Sequence, residues 1–87
     1  MNFKPVPLMI LRSVERASVE GDDGFFRFRN FMDLAGMGLG DGQNMLRRLI
    51  RQGYVNRAHN ASGLYTTTPQ LFMEIERRTE PTGDDDE

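Results

Sequence analysis

The sequence predicts a small α+β domain in the order helix, strand, helix, helix, strand, loop, strand, helix, its strands forming a small three-stranded antiparallel sheet. Two observations lead there. The apolar period switches from three or four residues to two and back again, and glycine or proline punctuates nearly every switch. A third is size: 87 residues suffice for one core. Residues 1–79 read as that single domain, and residues 80–87 as a disordered acidic tail without apolar anchors.

The elements follow from local chemistry. Pro7 suits the first turn of a helix, where its missing N–H costs nothing. Leu8, Leu11 and Val14 then recur at helical spacing, with Arg12, Glu15 and Arg16 on the other side. Gly21-Asp22-Asp23-Gly24 reads as a turn. Phe25 to Arg29 alternates from Phe26 onward, which predicts a strand with Phe26 and Phe28 inward and Arg27 and Arg29 outward. Asn30 is placed to cap a second helix, with Phe31, Leu34 and Ala35 on one face and Gly36 closing it.

Gly38, Gly40 and Gly42 loosen the next stretch, since each helical glycine costs up to about 1 kcal/mol against alanine. A third helix is therefore expected to start late or irregularly and to be established by Asn44, with Leu46, Leu49 and Ile50 inward. Gly53 ends it. Residues 54–57 and 64–67 read as two strands of a hairpin joined by His59-Asn60-Ala61-Ser62-Gly63. Thr68-Pro69 opens a last helix whose apolar face is Leu71, Phe72 and Ile75.

Composition bounds the function. Without cysteine there is no disulfide framework, zinc ribbon or thiol nucleophile. The longest apolar run, Leu8 to Leu11, is too short to span a bilayer, and no secretory signal is readable, so a cytoplasmic protein away from membranes is expected. Formal charge is −2, but Glu80, Asp84, Asp85, Asp86 and Glu87 supply five of the thirteen acids. The remainder carries eleven basic and eight acidic side chains, net +3. Between Arg27 and Arg57, six arginines face only Asp33 and Asp41. The ten arginines against one lysine fit a GC-rich genome as readily as an anionic partner.

Residues 31–69 resemble the winged helix-turn-helix DNA-binding proteins, with bacterial regulators of the multiple-antibiotic-resistance and isocitrate-lyase-regulator types the nearest comparison. Phe31 to Met37 looks like the first helix of the motif and its glycine turn. Met45 to Val55 is similar to the recognition helix running into a wing strand, and Leu64 to Pro69 to the second wing strand and last helix. The resemblance implies the order helix-strand-helix-helix-strand-wing-strand-helix and a transcription regulator of prokaryotic or phage origin. It further implies double-stranded DNA as the partner and action as a homodimer. The glycines at 38, 40 and 42 depart from the family, which usually has a small polar cap and a buried branched residue near that position.

In such a frame the third helix enters the major groove. Gln43 and Asn44 suit bidentate contacts to adenine, and Arg47 suits guanine. Arg48 and Arg51 are placed to neutralise phosphates, while Arg57, His59 and Asn60 in the wing are placed to follow the backbone or enter the minor groove. The bland alternative is that the three helix arginines only solubilise an exposed face and that Gln43 and Asn44 cap the helix.

No cofactor or metal is expected: His59 is the sole histidine, and structural zinc needs four ligands. None of Ser13, Ser18 and Ser62 lies in a nucleophile elbow, and the glycines from 36 to 42 lack the Gly-Lys-Ser/Thr of a phosphate loop, so catalysis is not expected. Phe3 and the apolar surface of the last helix serve either the core or a second copy. The competing functional class is a winged-helix protein-interaction module, such as a phage-encoded inhibitor of a host or defence complex.

Overall fold

A computed structural model describes residues 5–21, 24–58 and 63–79. In chain order the elements are α1 (Leu8–Glu20), β1 (Phe25–Arg27), α2 (Phe28–Ala35), α3 (Leu39–Arg51), β2 (Val55–Arg57), β3 (Leu64–Thr67) and α4 (Pro69–Thr79). The class is α+β, as the apolar periods predict. Phe3, the Asp22-Asp23 pair, the hairpin residues 59–62 and the acidic segment 80–87 lie outside the described residues.

α1 buries Ile10, Leu11, Val14 and Ala17 along one stripe. Ser13 and Ser18 share that stripe because their hydroxyls donate to the carbonyls of Met9 (2.9 Å) and Glu15 (2.7 Å). Pro7 stands at the cap position, one residue before the helix, and its carbonyl accepts from Ile10 and Leu11.

The aromatic segment departs from expectation. β1 stops at Arg27, and Phe28 and Arg29 begin α2 instead of continuing the strand. Phe26 and Phe28 alternating with Arg27 and Arg29 fit period two, but Phe28, Phe31, Met32 and Ala35 fit i, i+3, i+4, i+7 as well. The helical option wins because it turns Phe28 and Phe31 onto the core together, their ring centroids 6.4 Å apart, with Phe26 6.5 Å from Phe31. Asn30 is consequently inside the helix and does not cap it; Arg27 occupies the cap position. Gly36 closes α2 in the left-handed conformation (φ 69°), and Met37 N–H returns to the Met32 carbonyl.

α3 corrects a second expectation. It is regular from Leu39, with Gly38 at the cap and Gly42 N–H bonded to the Gly38 carbonyl at 2.8 Å. Gly42 is buried against α2: a Cβ there would lie 2.8 Å from Met32 Cγ and 3.2 Å from Phe28 Cζ. Tertiary packing thus offsets the low intrinsic propensity of this turn.

The sheet order is β1-β3-β2, both pairings antiparallel, with Phe26 opposite Tyr65 and Arg57 opposite Tyr65 on the other side. The core lies where α1, α2, α3 and α4 meet this sheet; Leu11, Val14, Phe26, Phe31, Leu49, Val55 and Leu71 are fully buried in it. Thr68 fastens α4 to the end of α3 by donating from its hydroxyl to the Gly53 carbonyl (2.6 Å). On α4, Leu71 and Ile75 are buried, but Phe72 is 41% exposed. Leu71 and Ile75 are four residues apart on one face, whereas Phe72 sits about 100° around the helix.

The far end of α4 is tied down by charge. Glu74 accepts from Arg77 (2.5 Å) and Arg78 (2.6 Å), and Arg78 also donates to the Val6 carbonyl ahead of α1. Hydrogen bonds from Arg77 and then Arg78 hold the Glu74 carboxyl below its ordinary range. A carboxyl with a lowered folded pKa contributes stability above its unfolded value and loses it as pH falls through the folded one. The urea midpoint should therefore drop more steeply below about pH 4.3 for the native chain than for Glu74→Gln. Parallel acid limbs for the two proteins would show that the cluster contributes nothing.

Candidate nucleic-acid interface

α3 buries Gly42, Leu46 and Leu49 and leaves its opposite side in solvent. At about 100° per residue, positions 40, 43, 44, 47 and 51 fall on that outer side. Their occupants, Gly40, Gln43, Asn44, Arg47 and Arg51, are all exposed. The stripe runs three turns without a carboxylate. Asp41, the acid in the first turn, lies about 100° away from Gly40. Arg48 is half-buried and lies off the stripe toward the same flank as Asp41. The sequence groups Arg48 with Arg51 as phosphate contacts; in the fold Arg51 is exposed within the stripe and Arg48, about 60° around the helix, borders it.

The stripe is continuous with the sheet. Gln43 and Arg47 of α3, Arg57 of β2 and Tyr65 of β3 surround a depression of about 140 Å³ floored by Leu46 and Ile50. Arg57 reaches this place because its strand register sets it directly opposite Tyr65. Arg47 Nη1 donates to Asn44 Oδ1 at 3.5 Å, a loose i, i+3 contact that both groups can exchange for a ligand. Of the expected interface residues, Gln43, Asn44, Arg47, Arg51 and Arg57 thus form one surface. His59 and Asn60 lie outside the described residues.

The stripe presents, chemically, two amides able to pair bidentately with base edges and several guanidinium groups able to meet phosphate. Tyr65 and Gly40 join it without being among the residues the sequence marks. Helical arithmetic places Gly40 in line with Arg47, but only the strand register brings Tyr65 there.

A second concavity, about 1070 Å³ and wide open, runs between the end of α3, β2 and α4, lined by Asn56, Gln70, Met73, Glu74 and Arg77 among others. Met73 in it is 67% exposed. Among the described residues no group of three or more histidine or acidic side chains is placed to hold a metal ion. Nor is any helix there long and apolar enough to cross a membrane.

No protein-family model, curated protein or solved structure matches the chain.

Proposed function

We propose that this chain is a winged helix-turn-helix DNA-binding regulator of prokaryotic or phage origin, with α3 as recognition helix and β2 and β3 as the wing. The observation that carries the reading is the exposed stripe Gln43, Asn44, Arg47 and Arg51, continued by Arg57 across the depression. The element order and the sheet order β1-β3-β2 support it, since they set a helix and a hairpin side by side as groove and backbone contacts require. The protein acts in the cytoplasm as a homodimer, which suits a palindromic target.

Anisotropy of a labelled random-sequence duplex at low salt tests the reading. Micromolar protein should bind, and log affinity should fall linearly with log salt, by about 0.9 for each phosphate neutralised. Failure to bind at low salt refutes it.

The open groove beside α4, with Met73 exposed in it, favours a second reading as a winged-helix protein-interaction module. That module would bind no duplex at low salt and would retain one stoichiometric protein from lysate, a retention that Met73→Glu should abolish.

A further inference from the structure

Gly40 is a glycine that the fold does not use. It sits in the first turn of α3, its backbone is not left-handed, and a Cβ built on it meets nothing within 4 Å. The contrast with Gly42, two residues on, is direct: there a side chain would strike Met32 and Phe28. Alanine at position 40 would therefore fit the structure and favour the helix, because glycine is among the poorest helix formers. A helix-weakening residue that neither packing nor backbone conformation demands calls for another cause.

Its position supplies one. Gly40 is exposed and shares the outer side of α3 with Gln43, Asn44, Arg47 and Arg51, three, four, seven and eleven residues on. We infer that Gly40 is where the α3 backbone comes closest to the duplex, its missing side chain letting Gln43 and Asn44 reach base edges. The inference rests on the DNA-binding reading and adds to it a residue that sets the depth of docking. A methyl group at this point holds the helix away by more than a hydrogen bond tolerates, since contacts made at about 2.9 Å weaken steeply with distance.

The test uses the full chain and pits stability against binding. Gly40→Ala should leave Tm unchanged or raise it by up to about 4 °C, since the glycine penalty is smaller in a first turn than in a helix interior. The same substitution should weaken binding to the duplexes that the native chain enriches from a random library about tenfold, near the worth of one good base contact. Equal or tighter binding by Gly40→Ala overturns the inference while leaving DNA binding intact. A lowered Tm also overturns it, because the fold would then need the glycine. If the native chain itself fails to bind the duplex, the DNA-binding reading fails and this inference with it.

Discussion

Replacing Phe31 with alanine should cost roughly 3–5 kcal/mol, the usual toll for removing a fully buried phenyl group. Phe31 is 0% exposed and packs against two other rings, Phe26 edge-on at 6.5 Å and Phe28 tilted at 6.4 Å. It is also the buried residue through which α2 faces the core, so its loss loosens the packing of α2 on α1 and β1. A domain of this size has roughly 4–12 kcal/mol of total stability, so the variant should be marginal or unfolded. Urea unfolding followed by far-UV circular dichroism measures the effect. Phe31→Leu, which keeps much of the volume, should lose clearly less. A loss under about 1 kcal/mol for Phe31→Ala would mean that the α2 contact is not the centre of the core.

The second large effect concerns charge on the proposed interface. Arg51→Ala together with Arg57→Ala should lower duplex affinity at low salt by roughly 10–100-fold and reduce the salt slope by about 1.8, two phosphates at 0.9 each. The loss should be uniform across sequences, since phosphate contacts carry no base information. Arg47→Ala should instead change which sequences are preferred, by roughly 1–3 kcal/mol at positions where guanine is read. The control is Arg12→Ala with Arg16→Ala, two exposed arginines on α1. That pair has the same formal charge change but does not line α3. If the α1 pair weakens binding as much as Arg51 and Arg57 do, DNA binding reflects net charge alone and α3 is not the interface.

Where the sequence and the fold agree, one periodic signal dominated its segment. Leu8 to Val14 and Leu46 to Ile50 admit only the helical period, and Leu64 to Thr67 forms the strand that its composition predicts. The differences fall where two local signals overlapped. Phe26 to Ala35 satisfies both periods over its first residues, and the boundary between β1 and α2 is settled by ring packing that no short window contains. Residues 38–42 read locally as a weak helix start, because propensity counts glycine only as a loss. Gly42 is in fact the residue that lets α2 and α3 approach. Phe72 lies outside the buried face because apolar character alone does not say which side of a helix faces inward.

The proposed interface divides in the same way. Gln43, Asn44, Arg47 and Arg51 fall on one side of α3 by helical arithmetic, which the sequence contains in full. That Arg57 and Tyr65 join them follows from the register of β2 against β3 and from how the sheet lies beside α3. The sequence by itself thus determined the class of fold, the number and nature of its elements and the helix face that bears the charge, because those depend on contacts within a turn or two of chain. The tertiary structure alone decided where α2 begins, why Gly42 is tolerated while Gly40 is unused, and which strand residues complete the charged surface. Those outcomes depend on side chains distant in sequence that compete for the same volume, and close packing admits one arrangement of them.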